Sequence, residues 1–167
     1  MLFKRTTIRK DLPCGVTLVE VTVSVMILGI LATVASPIYS NSLSRYRADI
    51  TAQRIVQDIV QAQRIARQTN STRTIAFTLA DHSYVISGIS SLDRISQPYK
   101  IYVNQPPYRV ELSSLVTAAQ PKTHLPSVSI TFDRFGMPDR GISVTVSAGT
   151  FQKRIDLAPT SARVSVQ

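Results

Sequence analysis

The chain has 167 residues, 44% of them hydrophobic and 17% charged, enough for one globular domain and one further element but not for a multidomain enzyme. Nine prolines, six glycines and no repeated tract exclude collagen-like and low-complexity chains. A single cysteine, Cys14, and two histidines, His82 and His124, cannot assemble a Cys/His zinc site or an internal disulfide.

The formal charge is +9, from nineteen Lys and Arg against ten Asp and Glu. Four of the cations, Lys4, Arg5, Arg9 and Lys10, fall within the first ten residues. Directly behind them, residues 16–36 read VTLVEVTVSVMILGILATVAS, with Glu20 as the one charge. At about 1.5 Å per residue this run just crosses a hydrocarbon core of roughly 30 Å, which predicts a transmembrane helix. The basic cluster upstream orients it with the N-terminus in the cytoplasm and the remainder of the chain outside. A secretory signal peptide fits less well: the run is long for a signal core, and the best small-residue site, Val34-Ala35-Ser36, is followed by Pro37. A lipoprotein site at Cys14 fails because the apolar region follows that cysteine instead of preceding it. Glu20 is the most informative residue of the segment, since a carboxylate inside an apolar span is costly and marks function or a partner charge.

The residues Lys10, Gly15, Val16, Thr17, Leu18, Val19 and Glu20, followed by the apolar run and Pro37, resemble the processing signal of type IV pilins and type II secretion pseudopilins. The resemblance implies a short basic leader, residues 1–15, that a prepilin peptidase removes between Gly15 and Val16, with methylation of the new Val16 terminus. Glu20 then takes the fifth mature position, where it pairs with a neighbouring chain's α-amino group, and Pro37 takes the position of a helix-kinking proline. The first mature residue is commonly Phe in that family and is Val16 here. More weakly, ITFDRFGMPDRGISVTVS and KRIDLAPTSARVSV look like the H-type minor pseudopilin and its FimT-like minor pilin relatives, although Ala162 stands where those carry Gly before the final Arg-Val pair.

After Pro37 the apolar positions Leu43, Tyr46, Ile50, Ala52, Ile55, Ile59, Ala62 and Ala66 recur at helical spacing, with Arg54, Gln57, Asp58, Gln61, Arg64 and Gln68 on other faces. They predict an amphipathic helix over residues 37–70 that stops at Asn70-Ser71-Thr72, giving a stem on the order of 80 Å at helical rise. From Arg73 the period changes to two in RTIAFTL, SYVISG, YKIYV, YRVEL, SVSITFD, ISVTVSA, QKRIDL and ARVSV. These are antiparallel strands of a β domain over residues 71–167, with residues 117–127 as an exposed connection marked by Pro121 and Pro126. Ile75, Phe77, Val85, Ile130, Phe132, Ile142, Val144 and Ile155 form the face that buries against the helix.

Catalytic patterns are missing from this sequence. No GxSxG turn or phosphate-cradling glycine loop occurs, and His82 and His124 sit in loop-like, solvated surroundings. Asp133 and Asp139 read as an ordinary charged turn, not a cation site, because Arg134 and Arg140 lie beside them. A second reading groups Arg134, Arg140, Lys153, Arg154 and Arg163 into a phosphate-tracking face that binds DNA without sequence preference.

The expectation is therefore an α+β, pilin-like chain: a long N-terminal transmembrane and amphipathic helix packed on an antiparallel β-sheet or β-sandwich head. It is expected to be a non-enzymatic minor pseudopilin without metal or cofactor, anchored in the bacterial inner membrane with its head in the periplasm. Its expected partners are the prepilin peptidase, other pseudopilins or pilins through their N-terminal helices, and membrane lipid. The alternative is a minor type IV pilin that binds DNA for uptake.

Overall fold

A computed structural model describes residues 15–90, 98–120 and 124–167. The leader residues Lys4, Arg5, Arg9, Lys10 and Cys14, and the loop residue Pro121, lie outside these. Helix α1 spans Leu18–Thr69 and continues through Pro37. Thr17 caps it, its Oγ1 accepting the Glu20 N–H at 3.2 Å. Glu20 in the first turn and Arg67 in the last complement the helix dipole. At the far end Asn70 takes a left-handed φ of 49°, and the Ser71 N–H reaches back to the Ala66 carbonyl at 3.2 Å, which is how a helix satisfies its last carbonyls. The polar stop at Asn70-Ser71-Thr72 thus ends the helix as the sequence predicts.

The chain divides into two compact units, Met1–Tyr39 and Ser40–Gln167. In the first, α1 turns its large apolar side chains outward on every side, from Leu18 at 80% exposure to Ile38 at 63%. Its most apolar window has a mean hydropathy of 2.3 and no buried residue. A helix whose described residues are apolar and exposed all round suits lipid or other helices around it.

In the second unit the rest of α1 is followed by β1 (Arg73–Thr78), β2 (Ser83–Ser90), β3 (Pro98–Tyr102), β4 (Glu111–Thr117), β5 (Ser127–Phe132), β6 (Ile142–Ala148), β7 (Phe151–Leu157) and β8 (Val164–Val166). They form two four-stranded sheets, ordered β3-β2-β1-β5 and β4-β6-β7-β8, and every pairing is antiparallel. One buried cluster joins Ala48, Ala52, Ile55, Ile59, Ala62 and Ala66 of α1 to the inner faces of both sheets. Small residues dominate that stripe because alanine lets the sheets approach the helix backbone closely.

Several expectations are corrected by this arrangement. Tyr46 is exposed, and Leu43 and Ile50 are only half-buried; the buried stripe begins instead at Ala48 and Thr51. Asp58, assigned to a solvent face, is buried within the stripe. On β2 the core residues are Tyr84 and Ile86, paired with Phe77 and Ile75, while Val85 points to the other face and is half-buried. YRVEL is not a strand throughout: the Tyr108 and Arg109 N–H groups close a turn onto the Gln105 carbonyl, Arg109 has a φ of 53°, and the strand starts at Glu111. It runs through SSLVT up to the first residue of the expected 117–127 connection. His82 does sit in a turn but is half-buried, and its Nδ1 accepts the Leu112 N–H at 3.1 Å.

Candidate functional site

Of the expected processing segment, the described residues Gly15–Glu20 are exposed. Gly15 has nothing within 4 Å of its Cβ position, and Val16 is 68% exposed, so a protease meets an open chain immediately before the helix. Glu20 and Thr17 stand three residues apart at the helix start, the spacing of a capping box, in which an N3 carboxylate complements the N-cap hydroxyl. The bond observed comes from the Glu20 backbone, and the Glu20 side chain contributes its negative charge to the first turn.

In the second unit the five cations of the nucleic-acid reading separate. Lys153 and Arg154 are neighbours on β7 and so face opposite sides of the sheet: Lys153 pairs with Asp49 of α1 at 3.3 Å and Arg154 with Asp156 at 2.8 Å. Arg140 pairs with Asp139 at 2.9 Å. Arg134 lies in the turn after β5, its guanidinium 5.0 Å from the Phe135 ring centroid. Arg163 precedes β8.

Gln63 draws the segments carrying Arg134 and Arg163 to one place. Its side-chain amide donates to the Ala162 carbonyl at 3.0 Å, and its own carbonyl lies 3.1 Å from where a Gly136 Cβ would stand. Arg67, one turn further along α1, donates from Nε to the Phe135 carbonyl at 2.8 Å. Arg67 thus lies against the turn that carries Arg134 and the exposed Phe135, while Gln63 holds the residue before Arg163. The sequence placed Arg64 on a face away from the apolar stripe and gave Arg67 no role, because the spacing carries no view of what folds beside them. The neighbouring carboxylates are engaged: Asp133 Oδ1 accepts the Phe135 and Met137 N–H groups at 2.9 and 2.8 Å, and Asp139 Oδ1 accepts the Thr131 N–H at 3.0 Å.

The remaining polar cluster lies inside the β domain. Asp58 accepts the Tyr84 hydroxyl at 2.5 Å, the Tyr99 hydroxyl at 3.3 Å and Arg54 Nε at 3.3 Å; Arg54 also donates to Tyr99. Burial and then the Asp58 charge push the Tyr84 phenol far above its ordinary value. Burial likewise raises Tyr99. Burial opposes the Arg54 charge, but Tyr99 and Asp58 outweigh it and hold the guanidinium above its usual value. It is a satisfied network that fixes α1 against β2 and β3.

No family model matches the chain, and no curated protein matches it either. Among solved structures it is similar to the type IV minor pilin FimU of Pseudomonas aeruginosa in two crystal forms. In one the identity is 11% over 74% of this chain and 90% of that chain, with a TM-score of 0.49. In the other the identity is 10% over 71% and 91%, with a TM-score of 0.46.

Proposed function

We propose that this protein is a non-enzymatic, membrane-anchored subunit of a pilin-like filament, a minor pseudopilin of a type II secretion system released for assembly by prepilin peptidase cleavage between Gly15 and Val16. The observation that carries the reading is the uncovered apolar start of α1, with Glu20 as its one charge and an exposed Gly15-Val16 junction before its cap. Cleavage there leaves a free, then methylated, amine at Val16, one residue before the Thr17 cap. A neighbour's Glu20 then neutralises this positive helix end as the apolar helices pack together. Mass spectrometry of the N-terminus after co-expression with a prepilin peptidase tests the proposal. A chain beginning at Val16 is expected; an intact Met1, or a cut after Ser36, refutes it.

A second reading, a minor type IV pilin that binds DNA for uptake, is favoured by the approach of Arg67 on α1 to the turn that carries Arg134. Duplex DNA titrated at low and physiological salt separates the two. Retained micromolar binding at physiological salt that disappears on charge reversal at these arginines selects DNA uptake. Loss of binding at physiological salt selects the secretion subunit.

A further inference from the structure

Beyond Glu20 the chain carries no charge until Arg45 and Arg47. Ile38 is the last exposed aliphatic side chain of the apolar run, so at helical rise Arg45 stands on the order of 10 Å past its end. A headgroup layer adds roughly 5–8 Å to each side of a hydrocarbon core, and an arginine side chain bridges the difference. Its direction is right for this, because side chains on an α-helix lean toward the helix N-terminus. In α1 that is back toward the apolar run. Tyr39 and Tyr46, both exposed, accompany the arginines as amphipathic rings do at a membrane boundary.

Neither cation is used inside the protein. Among the described residues no hydrogen bond or ion pair engages the side chain of Arg45 or Arg47, whereas Arg54, Lys100, Arg140, Lys153 and Arg154 all pair with carboxylates. The one carboxylate nearby is withdrawn, since Asp49 pairs with Lys153 at 3.3 Å. Asp58, the next along α1, is buried and bonded by Tyr84. The β domain reaches α1 at Ser44, whose Oγ lies 3.6 Å from where a Gly149 Cβ would stand, yet Arg45 stays exposed and Arg47 half-buried. Nor do the two arginines serve orientation, because cations just outside a span oppose the basic cluster on its inner side.

We propose that Arg45 and Arg47 bind the phosphates of anionic phospholipids in the leaflet where α1 leaves the membrane. This rests on the membrane-anchored reading of the chain and adds the lipid class to it. The bilayer is the occupant because the apolar run of the same helix ends within reach of both side chains. A helix crossing a leaflet presents every face to the surrounding headgroups, so arginines on different faces serve equally well. Charge selects the lipid: an anionic leaflet attracts basic residues beside a span, and a guanidinium fork matches phosphate oxygens. Asp49, held by Lys153, leaves that attraction unopposed. The contact fixes the depth of the waiting subunit and is given up when the chain leaves the membrane.

The protein contains no tryptophan, so Tyr39→Trp introduces a single fluorophore at the outer end of the span. The full chain carrying it is placed in vesicles of phosphatidylcholine with a minor fraction of phosphatidylglycerol, with brominated acyl chains first on one lipid and then on the other. Quenching per brominated lipid should be at least about threefold stronger from phosphatidylglycerol, as two basic residues beside an anionic leaflet require. Arg45→Gln together with Arg47→Gln should remove the preference, lysine at both positions should keep most of it, and raised salt should lower it. The cations of the leader are common to every variant. Equal quenching by the two lipids, or a preference that survives the double glutamine variant, overturns the proposal while leaving the membrane span intact. Quenching by neither lipid overturns the membrane-anchored reading and this proposal with it. Inorganic phosphate that abolishes the preference when sodium chloride of equal ionic strength does not also overturns it, because the arginines then bind a free oxyanion.

Discussion

Asp58 is a charged residue on a helix face otherwise lined by alanine and isoleucine, and it is tolerated there because three donors meet it. A buried carboxylate that loses one donor pays the desolvation of an unsatisfied group. Tyr84→Phe is accordingly expected to destabilise the β domain by about 1–3 kcal/mol, read as a lower thermal midpoint of the detergent-solubilised chain. The same network makes stability fall at alkaline pH. Tyr84 and Tyr99 hold their protons above the ordinary phenol value in the folded chain, whereas an unfolded tyrosine ionises near about pH 10. Their contribution is present in full below that value and is lost as pH rises through it, because the unfolded state then sheds protons that the folded state retains. Phenolate absorbance should show two of the six tyrosines ionising only as the fold is lost, and one in Tyr84→Phe; ionisation of all six before unfolding contradicts this account. Little of the cluster is legible in the sequence. Arg54 and Asp58 read as an ordinary i, i+4 surface pair, and only the spacing of Thr51, Ile55, Asp58 and Ala62 hints that Asp58 faces inward.

At the scale of elements, two left-handed turns fasten the strand connections to α1, and one of them lacks the residue that suits it. Gly136 has a φ of 75°, and a Cβ there would lie 2.4 Å from Arg67 Nε and 3.1 Å from the Gln63 carbonyl. Gly136→Ala should therefore cost at least about 1–2 kcal/mol and break the Arg67 bond to the turn. Ala162 adopts a φ of 51° without being glycine, at the position where the resemblance expects one, so the tight backbone survives the substitution. Ala162→Gly should raise stability by about 0.5–1 kcal/mol, the left-handed penalty less the added entropy of the unfolded glycine. Thermal unfolding of both variants checks the opposite signs. These turns also show where pattern reading works. Strands β5, β6 and β7 alternate cleanly and are legible. On β2 the consecutive apolar Tyr84, Val85 and Ile86 give no parity, and the contact of Tyr84 with Asp58 decides it. On β4 the irregularity between Leu112 and Ser114 puts Leu112 and Leu115 three apart on one buried face, which conceals a period of two.

For the whole molecule the open question is what Glu20 does once the apolar start of α1 has neighbours, since two roles coincide at that residue. Its spacing from the Thr17 cap suits a side chain that serves its own helix, a role of which glutamine keeps the hydrogen bonding but not the charge that complements the dipole. In the proposed filament it would be the charge partner of a neighbour's Val16 amine, which glutamine cannot be. An unpaired carboxylate among apolar helices is disfavoured, so under the proposed assembly the amine would be brought to it, each subunit supplying both halves of the pair. Replacement separates the roles. Glu20→Ala and Glu20→Gln should both leave cleavage at Gly15 largely intact and both reduce incorporation into filaments, whereas Glu20→Asp, a shorter carboxylate, should restore part of it. Incorporation is measured by quantifying the variant chain in sheared filament fractions against the membrane-bound pool. Wild-type incorporation of Glu20→Gln alongside loss in Glu20→Ala would assign Glu20 to capping alone and leave the assembly charge to be found elsewhere. Equal and full incorporation of both would remove any role for Glu20 in assembly.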